Sequence, residues 1–439
     1  MIDDQIKMIY AVQIPLVFPE GFSIGGANGS SNAAEIDRNG ADLPVIRGTS
    51  LAGVLRSAAE NEAAFEDVVF DYFGYPLESD WERGESRLIF SDTAVQCGTD
   101  TSTHNLINRH TGSTSTLNKG LFSMERVVPG AKCTVGIRLN SDGKDPQKDR
   151  ELLKFIAEYL NGGCFIGGRH NRGIGRCQVE NNCFRLAEFD MSKVEDAAAY
   201  LDFMYSDTGS SAKFREVRIT EYSGNFRLKA VFRLPAGEDL LCGTSSESVP
   251  DSIIGSDGKE YWKIPGSSLR GVFKAWFSRL AARNGEKLTD SAAGYLANGE
   301  RKSVEINEQD MITDLFGSLE KRGRIHFGDA LSSRSANHGT DEQKRTHVVI
   351  DRFTGGTNDG KLFFNTVLVS SDDLTFESMV SIAGPTQKEL DLLANTLQAL
   401  HLGLIRLGSS KASGRLEVAG TEILSIPDGL EFNTQLKGF

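Results

Sequence analysis

Two glycine-studded basic segments carry the clearest chemical signal in this sequence. FIGGRHNRGIGR, from Phe165 to Arg176, contains Arg169, His170, Arg172 and Arg176 and no acidic residue; HLGLIRLGSSKASGR, from His401 to Arg415, contains Arg406, Lys411 and Arg415 and none either. Glycine permits close backbone approach to an extended ligand, and guanidinium or ammonium groups pair with phosphate. In a chain of net charge -12, such acid-free segments suit contact with an anionic polymer. They equally suit a tight glycine hairpin whose cations are only solvated.

Two further strings repeat this ambiguity. INRHTG at 107–112 and IDRFTGG at 350–356 offer Arg109 and Arg352 as matched phosphate contacts, or as ion-pair partners that shape a turn. Pro-Gly-Ser-Ser at 265–268 opens an apolar-periodic stretch; its small residues either cap a helix or leave its N-terminal N–H groups open to an anion. None of the glycine strings fits a Walker loop or a dinucleotide fingerprint. No G-x-S-x-G elbow is present, and the seven histidines form no H-E-x-x-H or H-x-H set, which argues against serine-hydrolase and zinc chemistry.

The elements that must position these residues can be read from periodicity. Leu269, Val272, Phe273, Trp276, Phe277 and Leu280 share one helical face, with Arg270, Lys274, Arg279 and Arg283 on the rest, so an amphipathic helix starting near Ser267 lies on a sheet. Ile6 to Val17 alternates as an opening strand, RLIFSD and RIHFGD are short strands, and residues 148–161 and 386–402 form second helices. Strand, helix, strands, helix, strand is a ferredoxin-like, α+β pattern.

This pattern occurs twice. Copy one has VIRGTSLAGVLRSAAE at 45–60, FDYFGYP at 70–76, RLIFSDT at 87–93 and INRHTG before its glycine-rich segment. Copy two has IPGSSLRGVFKAWFSRL from Ile264, DLFGS from Asp314, RIHFGDA from Arg324 and IDRFTGG before its own. Gly48 and Gly266 lie 218 apart, Asp92 and Asp329 lie 237 apart, and Arg109 and Arg352 lie 243 apart, as expected of a duplication with modest loop insertions. The expected division is a first domain at 1–190, an acidic helix and linker at 191–215, and a second domain at 216–439, opened by a strand over 217–234.

Composition sets the outer bounds. A length of 439 residues with 39% hydrophobic and 25% charged residues is globular, with room for more than one core. No stretch approaches the roughly 18 apolar residues of a membrane span, and residues 1–10 lack a leader pattern, so the expectation is a cytoplasmic protein without membrane contact. Six scattered cysteines, with no C-x-x-C pair, read as reduced, mostly buried thiols.

The paired Gly25-Gly26 after strand one, the loop leading to I-P-G-S-S-L-R-G, the L-F-G and F-x-D stretches, the I-[ND]-R-x-T-G string and the closing glycine-rich strand together resemble the RAMP superfamily of CRISPR-associated proteins. Within it they are most similar to backbone subunits of type III effector complexes, and two fused units resemble those of type III-D systems. The likeness spans nearly the whole chain. Copy one departs from the pattern at Arg47, where Pro is expected, and at Ala52, where Lys or Arg is expected.

The resemblance implies two tandem ferredoxin-like (RRM-like) RAMP domains with inserted thumb hairpins and Gly-rich loops. It implies partners as well: a guide crRNA gripped by each unit, a complementary target RNA held apart from it by the thumbs, and other CRISPR effector subunits. RNA contacts then fall to Ser50, Arg56, Arg109, Arg169, Arg172 and Arg176 in copy one, and to Ser267, Ser268, Arg270, Lys274, Arg352, Lys411 and Arg415 in copy two.

In the same family a loop aspartate before the helix often cuts bound target RNA with a divalent metal. The matching positions are Asp37, with Glu35 and Asp42 nearby, and Asp251, with Glu247 and Asp257 as rivals. Each would hold Mg²⁺, or another divalent cation, through water beside scissile phosphate oxygens. Alternatives are an RNA-binding scaffold with inert loop carboxylates, and a guide-processing endoribonuclease. The latter usually relies on a histidine near the N-terminus, whereas the first here is His104.

Overall fold

The computed structural model describes residues 6–25, 33–74, 85–105, 121–162, 164–168, 170, 173–205, 213–242, 249–283, 311–317, 322–351, 353–369, 374–408 and 414–434. Its first unit contains β1 (Met8–Phe18), α1 (Gly48–Glu60), β2 (Leu88–Phe90), β3 (Thr99–Asn105), β4 (Leu121–Val127), β5 (Ala131–Ser141), α2 (Pro146–Leu160), β6 (Cys183–Asp190), α3 (Val194–Tyr205) and β7 (Arg215–Arg218). The sheet runs β7-β6-β1-β5-β2, every pair antiparallel. With α1 and α2 as crossovers, this is the ferredoxin-like order.

Alternation along β1 builds that core. Tyr10, Val12, Ile14, Leu16 and Phe18 face Leu51 and Leu55 of α1 and Leu152, Ile156 and Leu160 of α2; each fully buried side chain of this size contributes about 1.5–3 kcal/mol. On the opposite face Ile9 and Ala11 meet Phe189 of β6 and Tyr200 of α3, so the acidic segment does form a helix, and it covers the back of the sheet. Asp145 caps α2 through the Lys148 N–H at 3.0 Å, with Pro146 at the first helical position.

The second unit repeats the scheme with β8 (Asn225–Arg233), α4 (Gly266–Arg283), β9 (Ile325–Phe327), β10 (Glu342–Ile350), β11 (Thr357–Val369), β12 (Thr375–Ala383), α5 (Gln387–His401) and β13 (Glu417–Ser425). β12 pairs with both β9 and β8, and β8 with β13, all antiparallel. Leu269, Phe273 and Phe277 are the buried stripe of α4, and Thr386 with Glu389 forms a capping box on α5. The stretch 217–234, expected as one opening strand, is divided: β7 joins the first sheet and β8 opens the second. Each unit inserts an antiparallel hairpin before its third sheet strand, β3-β4 in one and β10-β11 in the other.

Candidate nucleic-acid interface and loop carboxylates

The repeated R-x-x-F-x-D string acquires a physical reason at the helix starts. The Gly48 N–H donates to Asp92 Oδ1 at 2.8 Å, and the Gly266 N–H donates to Asp329 Oδ1 at 2.7 Å. A Cβ on either glycine would overlap the carbonyl oxygen of Phe90 or Phe327, so glycine is required where the strand crosses the helix end. The leading Arg87 and Arg324 reach the acids in the first turns of the second helices, Asp149 at 3.5 Å and Glu389. The carboxylates of Asp92 and Asp329 thus occupy both helix N-termini, the second of which the sequence left open to either a cap or an anion. Ser50, Ser267 and Ser268 sit half-buried in those first turns.

Asp37 and Asp251 occupy matched places. The Asp37 N–H donates to Ile24 O at 2.7 Å and its carbonyl accepts from the Val45 N–H at 3.0 Å; the Asp251 N–H donates to Cys242 O at 3.0 Å and its carbonyl accepts from the Lys263 N–H at 2.8 Å. Ile24 and Cys242, like Val45 and Lys263, stand 218 residues apart, the same offset as the helix-start glycines. Neighbours pin the first loop: the Ile36 N–H and the Arg38 guanidinium both donate to Glu125 of β4, at 3.1 and 2.5 Å.

Their electrostatics differ. Asp37 receives a bidentate guanidinium from Arg47, at 2.6 and 3.0 Å, which holds its carboxyl below the ordinary aspartate range. Asp251 is largely buried, and burial pushes its carboxyl up despite Lys263 Nζ at 3.0 Å. Lys263 Nζ reaches a single oxygen of Asp251, Oδ2, whereas both oxygens of Asp37 are engaged by Arg47. Among the described residues no three His, Cys, Asp or Glu side chains gather into a metal-binding group. A water-coordinated ion needs no such group, so the available donor is one carboxylate in each loop. Of the rivals, Glu35 and Asp42 are exposed, Asp257 accepts from Tyr261 Oη at 2.8 Å, and Glu247 lies outside the described residues.

The second site lies at the junction of the units. Arg126 of β4 donates to Asp329 Oδ2 at 2.6 Å, with Asp100 3.7 Å away. The Ser256 N–H donates to Pro129 O at 2.9 Å, and Gly173 packs on the Phe327 carbonyl.

The described ends of both glycine-rich segments are joined by antiparallel bridges, Phe165 to Arg176 and Arg406 to Arg415. They dock alike: the Gly175 N–H donates to Gly21 O and the Gly414 N–H to Asp239 O, each at 2.8 Å. Arg176 is buried against Glu20 at 2.7 Å, which places its charge inside the unit rather than on the loop surface. Arg415 is half-exposed and reaches Glu417 at 3.4 Å. Arg109, Arg169, Arg172, Arg352 and Lys411 lie outside the described residues.

Helix cations are partly committed as well. Arg56 donates to Gly74 O at 2.7 Å and lies over the Phe70 ring, and Arg270 donates to Phe316 O; Lys274 is half-buried on α4. The β10-β11 hairpin offers surface that sequence patterns did not flag. His347 stacks on Phe363 at 5.1 Å, Lys344 Nζ lies 4.3 Å from the Phe364 ring centre, and Phe353 at the tip is fully exposed. Val348-Val349-Ile350 and Leu362-Phe363-Phe364 were the available signal, because consecutive apolar residues put such groups on both faces of a two-stranded ribbon.

No helix among the described residues is long and apolar enough to cross a membrane. A comparison with curated proteins gives no match. The family model of the RAMP superfamily matches residues 22–178 and again 239–416, which together exceed half of the chain and fall one within each ferredoxin-like unit. The chain therefore belongs to the RAMP superfamily of CRISPR-associated proteins, as two RAMP regions in tandem.

Proposed function

We propose that this chain is the double backbone subunit of a type III CRISPR ribonucleoprotein, of the fused kind resembling type III-D. Each unit holds guide crRNA and complementary target RNA, and Asp37 and Asp251 cut the target. The matched backbone pairing of these two aspartates, each between the end of the opening strand and the approach to the first helix, carries the reading. The ribbon from Glu342 to Val369, with exposed aromatic groups on both faces, has the character of a surface that lies between two nucleic-acid strands.

A divalent ion held through water by the loop carboxylate would supply charge neutralisation at the scissile phosphate. The protein's own part is to fix that carboxylate: Val45 and Lys263 anchor the loop backbone, and Arg47 and Lys263 orient the side chains. In the assembled complex, Asp37→Ala and Asp251→Ala should each abolish one of two target cuts spaced one unit apart, and EDTA should abolish both while RNA stays bound. Retention of both cuts in the double variant refutes the assignment.

A second reading has a specific observation in its favour. Asp37 is fully engaged by Arg47, and Asp251 is buried beside Lys263, as in an RNA-binding scaffold whose carboxylates are structural. A complex that binds target RNA but never shortens it, with or without added divalent metal, supports this reading.

A further inference from the structure

We propose that Arg126 of the first unit is a positioning residue for the second unit's loop site, which it completes in trans, and that Arg47 plays the same part in cis for the first. The inference takes Asp37 and Asp251 as the cutting residues, as in the preceding subsection.

The equivalence is atomic. In each unit the F-x-D aspartate uses Oδ1 to accept the helix-start N–H and offers Oδ2 to a guanidinium. At Asp92 that guanidinium is Arg47 Nη1, at 2.8 Å; at Asp329 it is Arg126 Nη1, at 2.6 Å. Arg47 is the residue just before the helix in copy one, and the same place in copy two holds Pro265, which offers no charge. The second unit therefore takes the cation on Asp329 from 203 residues away, on the other unit's hairpin, while its own Lys263 pairs with Asp251 at 3.0 Å.

The two cations also bear on the loop carboxylates. Arg47 bridges Asp92 and Asp37 directly. Burial opposes the charge of Arg126, only 5% exposed, and Asp329 at 2.6 Å, then Asp100 and Asp251, sustain it. The Asp251 loop is tied to the same helix start by the Lys263 N–H, which donates to Asp251 O at 2.8 Å. A charge this deeply desolvated is tolerated because acids surround it. Removing it leaves Asp329 and the Asp251 loop facing a gap between the units. The second hairpin offers no such cation in turn. Val127 donates to Phe22 O, and Leu368 pairs with Leu240, 218 residues on from Phe22, so Arg126 corresponds to Val367, which is buried. Site one is thus self-contained, while site two depends on the docking of its neighbour.

The test compares Arg126→Met, Arg126→Lys and Arg47→Met in the full chain. In the assembled complex R126M should slow the cut assigned to Asp251 by about 10- to 100-fold, as for a second-layer partner of a functional group. Target affinity and the Asp37 cut should hold, R126K should recover part of the rate, and R47M should reverse the pattern. Hydrogen–deuterium exchange on the purified chain gives a readout free of any cutting: R126M should speed exchange at Gly266 and across 249–266 while 36–50 stays as in the parent. Should R126M fail to fold, R126K, which keeps charge but not the fork, carries the same comparison. Equal loss of both cuts, or exchange at 249–266 unaltered by the substitution, overturns the proposal. Absence of cutting in the parent chain refutes the proposed function instead and leaves the exchange result to decide.

Discussion

Arg126 Nη1 lies 2.6 Å from Asp329 Oδ2, and the same aspartate caps α4 through the Gly266 N–H. One buried ion pair therefore fastens a hairpin of the first unit to the first turn of the second unit's main helix. The corresponding pair in the first unit, Arg47 with Asp92, is partly exposed, and the difference has measurable consequences.

Asp329→Ala should destabilise the protein far more than Asp92→Ala. The former strands a desolvated guanidinium, at a cost of about 3–5 kcal/mol. The latter removes a cap worth about 0.5–2 kcal/mol, and Arg47 keeps Asp37 as a partner. Urea unfolding of the two variants checks the order.

Gly173→Ala should weaken the junction specifically. Its φ of +77° disfavours any side chain, and a Cβ would overlap the Phe327 carbonyl of the other unit. Gly237, at φ +79° with open space around it, isolates the backbone strain alone, about 1 kcal/mol. A larger loss of thermal stability for G173A than for G237A, with faster proteolysis between the units, is the expected outcome.

Acid should loosen the same junction. His326 Nδ1 lies 3.2 Å from His170 O, a geometry that suits an Nδ1–H donating to the carbonyl, and its ring packs 4.2 Å from Phe165. Burial, with Arg322 and Arg270 nearby, pushes its pKa down to about 3. A folded pKa below the unfolded value means the folded state binds fewer protons. This contribution is therefore intact above pH 6.5 and is lost as pH falls from there toward 3. The slope approaches about 1.4 kcal/mol per pH unit. His326→Gln should flatten the stability profile between pH 7 and 5 relative to the parent.

Phe353→Ala should leave folding stability within about 0.5 kcal/mol, because the ring is fully exposed. Under the proposed function it should weaken RNA binding by about 1–3 kcal/mol, the usual value of one base–aromatic stack. Filter binding with a single-stranded RNA, beside a thermal melt, separates the two effects. Unchanged affinity removes the hairpin tip from the RNA interface.

Much of the architecture was legible because its markers are local. Gly48 and Gly266 recur since nothing larger fits beneath Phe90 and Phe327, and the α4 stripe recurs every third or fourth residue. What escaped were pairings between residues far apart in the chain. The start of the second unit's helix read as either a cap or a phosphate seat, yet each helix start is filled by an aspartate 44 or 63 residues downstream. Arg176 looked like a loop cation, yet it is matched to Glu20, 156 residues earlier. Arg126 sits in a hairpin strand whose pattern gives no hint of a partner in the other unit. The loop aspartates, by contrast, were singled out by family likeness alone, since a lone carboxylate has no local pattern of its own.

Only residues 219–224 separate the last strand of the first sheet from the opening strand of the second. So short a tether keeps each docking face beside the other at an effective concentration on the order of millimolar. The ion pair and glycine contacts at the junction need not supply the free energy of a bimolecular encounter. Covalent continuity also fixes stoichiometry and order: a unit carrying Arg47 is always followed by one carrying Pro265, so two unequal sites reach any larger assembly in a single invariant sequence.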